Sequence, residues 1–420
     1  MLRLPYGHDA LVFDENGAAV LRSRIAQMKS GIPGSVIVEA AMAQPIGSEK
    51  LSTLARGKKT CTIIISDHTR PVPSRDILPP MLRQLREGNP EIEVTLLVAT
   101  GFHRGTTQEE LRQKLGEQIL THERILIHDC RSASSNVCIG TLPSGALCVV
   151  DRAAAETDLL IAEGFIEPHF FAGFSGGRKS VLPGICDQVT VLGNHCSRFI
   201  DSPCARTGVL DGNPLHRDML AAARMAKLAF IVNVVIDEEK RTVAAFAGDM
   251  EQAHAAGCAF LRQCCEVPAA PADIVITTNG GAPLDQNIYQ CVKGLTAAEA
   301  SAKDGAVLIM CAGLSDGHGG TGFYEALSAC ESPAALYAAI MQTPQDKTLP
   351  DQWESQILAR ILMHHRVIFV APAERRKMLE DMKLDWAPDL DAAMALAHAD
   401  MGTGASVTVI PDGVSVIIQK

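Results

Sequence analysis

The chain has 420 residues, 47% hydrophobic and 20% charged, with a formal net charge of −10 at pH 7. That length exceeds what one hydrophobic core usually serves, so two domains are expected. The acidic balance, without any basic run, argues against nucleic acid or an anionic membrane surface as partner. Thirteen cysteines lie in apolar contexts such as Cys61, Cys148 and Cys311, with no C-x-x-C, and read as reduced thiols. The N-terminal residues lack the apolar centre of a signal peptide, and no uninterrupted apolar run reaches membrane-spanning length. A cytoplasmic protein is expected.

In chain order, short β-branched runs at 35–39, 60–66, 93–100, 124–128, 158–163 and 230–236 read as strands. Segments 77–86, 107–115, 215–226 and 251–265 carry apolar residues at three- and four-residue spacing and read as helices. After a proline-rich linker at 267–272, strands are expected at 273–277, 306–310 and 366–370 and helices at 295–302, 334–341, 353–364 and 390–399. Residues 406–410 and 414–418, around Pro411-Asp412-Gly413, read as a hairpin. The alternation predicts an α/β protein with largely parallel sheets flanked by helices. The expected domains are 1–267 and 273–420, the final segment packing back on the first.

Open α/β sheets bind ligands at the carboxyl ends of their strands. Four such ends carry polar chemistry here: Asp67-His68-Thr69-Arg70, Gly101-Phe102-His103-Arg104, the loop from Glu167 to Lys179, and Asn279 to Asp285. An arginine at position 70 can grip a carboxylate with two parallel hydrogen bonds, although a structural pair with Asp67 is an equal reading. His103 and His169 suit acid–base work, and either taken alone reads as well as a structural residue. Ser175, Gly176 and Gly177 offer backbone N–H groups to an anion beside Lys179, but the glycine spacing is not that of a P-loop. His195 is a possible metal ligand, yet no His, Cys or carboxylate spacing announces a protein-built metal site.

Six blocks together, Ser66 to Pro73, Ala99 to Gly105, Glu167 to Lys179, Gly193-Asn194-His195, Tyr289 to Lys293 and Asp351 to Gln356, resemble the nickel-pincer-nucleotide-dependent lactate racemases. The resemblance runs in order along nearly the whole chain and implies an active site in the cleft between the two domains. It implies a pyridinium mononucleotide that holds nickel through sulfur, carbon and sulfur and is covalently attached to Lys179, with His195 completing the metal sphere. One imidazole then suffices because the organic ligand supplies the other donors.

By the same resemblance, His103 and His169 are the acid/base pair of a hydride-transfer racemase. Arg70 and Lys293 hold the substrate carboxylate, Asp67 lies near the cofactor, and Tyr289, Gln290 and Trp353 line the pocket. The backbone of Ser175, Gly176 and Gly177 is expected to approach the nucleotide. The expected substrate is a small 2-hydroxy acid, lactate first. Malate would require a further cation, for which Arg104 or Arg178 are the candidates, and aromatic or sugar acids are alternatives. Cofactor-biosynthesis and nickel-insertion proteins are the expected partners. Two other classes stay open: a non-catalytic nickel or nucleotide carrier, and a zinc hydrolase using His103, His169 and His195.

Overall fold

The computed structural model of the chain describes residues 1–14 and 17–419. The strand and helix patterns assemble into two six-stranded sheets flanked by helices. Across the first sheet the strands run Thr242–Gly248, Leu228–Ile236, Leu159–Phe165, Thr60–Ser66, Glu93–Ala99 and Arg124–Ile127. All neighbours are parallel except the edge strand Thr242–Gly248. The chain winds outward from Thr60–Ser66 to Arg124–Ile127, then returns to the other side at Leu159–Phe165. This reversal leaves a crevice between the carboxyl ends of Thr60–Ser66 and Leu159–Phe165, where doubly wound sheets take their ligands.

The second sheet is parallel throughout, in the order Asp385–Ala387, Arg366–Val370, Ala302–Cys311, Ala272–Thr278, Val407–Ile410 and Ala19–Val20. Its last strand comes from the start of the chain, so the hairpin of Leu2–Tyr6 and Asp9–Phe13 and the strand Ala19–Val20 lie with the second sheet rather than the first. Leu2 and Leu4 of the N-terminal hairpin pack against Ile274, Ile276 and Ile309.

Two expected elements are replaced. Residues 35–39 are not a strand but part of the helix Gly34–Ala43: the run Glu39-Ala40-Ala41-Met42-Ala43 favours helix, and Val38 and Met42, four apart, are both buried. The expected C-terminal hairpin does not form either. Val407–Ile410 joins the second sheet, while Ile417–Gln419 crosses to pair with Glu266–Pro268 inside the expected linker. Burial of two separate apolar strands outweighs the local turn signal.

Helix Ser74–Gly88 shows how the layers hold. Ile77, Leu78, Met81, Leu82 and Leu85 form one stripe against the outer face of the first sheet, each contributing about 1.5–3 kcal/mol relative to exposure. On the inner side, Ile64, Leu97 and Ala162 share one core with Val275, Leu308, Met310 and Leu358. The two sheets therefore frame a cleft fixed by a continuous apolar base. Among the described residues no helix is long and apolar enough to cross a membrane.

Candidate active site

A cavity of about 420 Å³ opens at the crevice of the first sheet. Asp67 and Arg70 reach it from the loop after Thr60–Ser66, His103 from the loop after Glu93–Ala99, and His169 and Lys179 from the loop after Leu159–Phe165. His195 enters from the end of helix Gln188–Asn194. The opposite wall comes from Tyr289, Gln290 and Lys293 on one face of helix Ile288–Ala300 and Trp353 of helix Gln352–His364. All the expected catalytic, cofactor, metal and substrate residues line this cavity except Gly177, whereas the extra-cation candidates Arg104 and Arg178 do not.

The two acid–base candidates are held differently. His103 Nδ1 donates to Asp67 Oδ2 at 2.7 Å, and Thr69 donates to the other oxygen of the same carboxylate through its N–H and hydroxyl. Burial pushes the Asp67 carboxyl up, but the His103 hydrogen bond and the charges of His103 and Arg70 outweigh it and leave the group below the usual range. This carboxylate fixes the ring and leaves Nε2 free of it. His169 has no acid behind it. Its Nδ1 accepts from the Ala172 N–H at 3.2 Å, and Nε2 lies 3.2 Å from Lys179 Nζ. The ring is wedged between Phe170, stacked at 5.0 Å, and Phe171, edge-on at 4.6 Å. Burial, then the charges of Lys179, Lys293 and Arg70, hold His169 well below the ordinary imidazole range, so it is neutral at neutral pH.

Lys179 lies 5.6 Å over the Phe171 ring, and burial followed by the charges of Arg178, Arg70 and Lys293 lowers its pKa far below that of a surface lysine. It is a nucleophilic amine. His195 donates through Nδ1 to the Val191 carbonyl at 3.0 Å, with Phe171 and Trp353 edge-on at 5.3 and 4.9 Å. Burial and then Lys179 bring its pKa down to about 3. A neutral imidazole with one nitrogen tied to a backbone carbonyl presents the other as a metal donor. Among the described residues no group of three His, Cys, Asp or Glu is arranged to hold a metal, so His103, His169 and His195 do not make a three-ligand zinc centre.

The two residues expected to hold the carboxylate both reach this cavity. Arg70 makes no ion pair among the described residues, while the Lys293 ammonium donates to Gln290 Oε1 at 2.7 Å. Lys293 is lowered by burial and by Arg70, with Glu167 and Glu354 opposing. Tyr289 is pushed well above its ordinary pKa by burial, then by Glu354 and Asp351, and stays a neutral phenol.

Three readings need correction. The Ser175 N–H donates to the Glu167 carbonyl, and the Gly177 N–H donates to Asn233 Oδ1 at 2.7 Å, so these amides face the protein and do not cradle an anion. Gly176 and Gly177 have positive φ, and a Cβ on them would lie 2.8 Å from the Phe165 carbonyl oxygen and 2.7 Å from the His254 ring, respectively. Tight packing requires these glycines. Neither candidate extra cation is available: Arg104 is engaged twice by Glu110, and Arg178 is buried among loop carbonyls. The fourth strand end, from Asn279 to Asp285, does not line this cavity; its Asn279, Gly280 and Leu284 line an adjoining one of about 520 Å³, which shares Arg70 and Lys293 with it.

Three lining carboxylates, Glu163, Asp351 and Glu354, escaped the sequence reading. Glu163 accepts from Ser66 and Ser74 through Oε1, and Glu354 follows Trp353; in both, Oε2 is buried without a hydrogen-bond partner. The signal for Glu163 was a carboxylate inside an otherwise apolar strand, Leu159–Phe165.

Residues 7–208 match the lactate racemase N-terminal domain model, and residues 267–418 match the C-terminal domain model. The chain belongs to the lactate racemase family. It is therefore an isomerase of the racemase kind. The lactate racemase of Lactiplantibacillus plantarum is 53% identical over 99% of this chain and 99% of its own length. That of Thermoanaerobacterium thermosaccharolyticum is 51% identical over 100% and 99%, and its apoprotein structure superposes with a TM-score of 0.96 over 100% of this chain and 99% of that one. A Thermotoga maritima protein, 19% identical with a TM-score of 0.65 over 93% of this chain and 100% of its own, shares the fold alone.

Proposed function

We propose that the protein interconverts D- and L-lactate, using a nickel pincer nucleotide attached to Lys179 and two histidines, His103 and His169, as acid and base. The observation that carries this reading is the meeting of those imidazoles, the Arg70–Lys293 clamp and an amine of lowered pKa on one cavity. The donor set fits the cofactor. Lys179 is a nucleophile suited to forming the link, and His195 offers one imidazole nitrogen where the organic ligand provides the other donors. When bound, the group would accept a hydride from C2 and return it, chemistry that no side chain here supplies.

The protein's share is binding and protons. Removing C2–H as a proton would place a carbanion beside a carboxylate, beyond the reach of any histidine, so the imidazoles act on the hydroxyl instead. His103 holds its Nδ1–H against Asp67, so its bare Nε2 is the atom that takes the hydroxyl proton. His169 accepts the Ala172 N–H at Nδ1, so its neutral ring carries the proton on Nε2 and offers it to the oxygen; it serves as base for the other enantiomer only when that proton has moved off Nε2. Arg70 and Lys293 keep the carboxylate still while the planar 2-keto acid presents its other face. Two cations serve one carboxylate, and with Arg104 and Arg178 engaged elsewhere the pocket favours a monocarboxylate over malate. All thirteen cysteines are free thiols, which suits a reducing cytoplasm. Loading depends on the proteins that make the nucleotide and insert nickel.

The test is intact mass, nickel content and optical rotation on protein matured with that machinery. An adduct on Lys179, stoichiometric nickel and racemisation of single-enantiomer lactate are expected. Adduct and nickel without turnover of any 2-hydroxy acid would make the protein a carrier, and zinc without adduct would sink the reading altogether.

A further inference from the structure

Arg178 heads the largest fully buried side chains, 1% exposed, and it is absent from the cavity lining although its neighbour Lys179 is there. Its guanidinium points into the loop between His169 and Lys179. One terminal nitrogen donates to the Ala172 carbonyl at 2.7 Å, and the other donates to Phe174 at 2.8 Å and more weakly to Gly176 at 3.3 Å. Nε donates to His216 Nδ1 at 3.0 Å. His254 Nε2 donates to the remaining carbonyl, Ser175, at 2.8 Å. The loop that carries both reactive groups is thus fastened carbonyl by carbonyl from beneath.

Such a site is costly. No carboxylate pairs with Arg178 among the described residues, and an unpaired buried cation pays for lost hydration. The rings beneath it carry no compensating charge: burial and then Arg178 itself keep His254 near pKa 3 and His216 near 4. A loop could be fastened more cheaply by neutral donors, so the charge calls for its own explanation. Ala172, whose carbonyl takes the shortest of these bonds, is also the residue whose N–H fixes His169 Nδ1. Arg178 therefore acts on His169 through one peptide and on Lys179 through direct sequence adjacency.

We propose that Arg178 is a positioning residue for the attachment lysine: its guanidinium gathers the loop carbonyls so that the Lys179 amine is delivered against His169 Nε2, with an unpaired positive charge behind it. The proposal rests on Lys179 being the attachment point. The charged and titratable groups around Lys179 are His169, His195, Arg178, Arg70, Lys293 and Glu167. Asp67, Glu163, Asp351 and Glu354 line the same cavity, but Glu167 is the acid that raises the lysine pKa, and after burial Arg178 is the foremost cause of its lowering. The arrangement keeps an uncharged amine in a cleft that must be acylated before any substrate is turned over.

The test needs no cofactor. The cofactor-free chain is treated with 4-nitrophenyl acetate, a neutral reagent indifferent to the carboxylate clamp, and acetylation is mapped peptide by peptide against pH. In the reaction the amine nitrogen bonds to the acyl carbon, 4-nitrophenolate leaves with the electron pair of the broken C–O bond, and the amine proton goes to buffer. In the wild-type chain Lys179 should react at pH 7 at least about tenfold faster than the surface lysines, the ratio one pKa unit gives the free-amine fraction. Arg178→Met should move the Lys179 inflexion up toward the surface lysines, and Arg178→Lys, which keeps the charge without the fork, should fall between. If Arg178→Met does not fold, His216→Ala, which removes only the acceptor at Nε, should shift the inflexion in the same direction by less. A wild-type Lys179 that titrates with the surface lysines overturns the proposal. So does an Arg178→Met chain with a lowered Tm and an unchanged Lys179 profile. A matured protein without an adduct, but with a reactive Lys179 in this assay, would count against the attachment reading alone.

Discussion

At the carboxyl edge of the first sheet, the loops after Thr60–Ser66, Glu93–Ala99 and Leu159–Phe165 stand apart around a cavity. At the same edge of the second sheet, Asn279, Gly280 and Leu284 line a second cavity of about 520 Å³ with Arg70 and Lys293, while the 282–285 side of that loop is filled by the protein's own N-terminal hairpin. The Gly7 N–H donates to Asp285 Oδ2 at 2.6 Å, the Gly7 carbonyl accepts from the Ala282 N–H at 2.8 Å, and the Gly313 N–H donates to the same Asp285 oxygen at 2.9 Å. A Cβ on Gly313 would stand 3.1 Å from Gly7 Cα. Both edges have the glycine-rich loops and buried carboxylates that suggest a binding site. What separates them is whether another part of the chain has already satisfied those groups.

That contrast can be broken by substitution. The largest effect is expected at the open edge: His103→Ala and His169→Ala should each lower kcat by about 10²–10⁴-fold while the Lys179 adduct, read by mass, is retained. Unchanged turnover would remove the acid–base assignment. Asp67→Asn should follow with a loss of about 10²-fold, since the His103 ring keeps its place but loses its carboxylate. Because the two enantiomers of lactate are equal in free energy, kcat/KM measured from D and from L must fall by the same factor. At the filled edge the currency is stability. Asp285→Ala strands two half-buried N–H groups and should cost about 2 kcal/mol in urea unfolding, with turnover per folded molecule unchanged; a loss of activity without a loss of stability would make the second edge functional.

Acid should act mainly on the loop layer of the first sheet. His195 and His254 have folded pKa values near 3 and His216 near 4, all below the ordinary 6.5. Between those limits the unfolded chain binds protons that the folded chain refuses. Stability is thus complete above pH 6.5 and declines as pH falls, by about 1.4 kcal/mol per pH unit for each histidine within its window. His254→Gln should flatten the dependence of the urea midpoint between pH 6.5 and 5. The smallest effect is expected from Arg104→Ala. Its bidentate pair with Glu110 is exposed, so both KM and Tm should hardly move.

Much of this was legible in the chain because the open edge depends on local grammar. A β-branched run followed by Asp67, His103 or the segment from Glu167 to Lys179 places each side chain at a strand end, and the parallel sheet brings those ends together. The filled edge was read as a fourth functional loop because nothing near Asp285 records that Gly7, far away in sequence, occupies it. The same limit explains Gly176 and Gly177. Their positive φ was readable in kind, but the partners that demand it, Asn233 and His254, come from distant elements. The C-terminal turn failed likewise, since Pro411-Asp412-Gly413 describes a bend and says nothing about which sheet receives the strands on either side.

The strand Ala19–Val20 at the border of the second sheet has a mechanical corollary. The polypeptide begins in one layer, builds the other, comes back, and finally sends Ile417–Gln419 across again, so three separate stretches of backbone span the gap between them. A body joined at three points has no single axis about which to swing freely. Widening of the cleft is therefore restrained at every joint, and the spacing of Lys293 from Arg70 is set by the covalent frame as well as by the packed base.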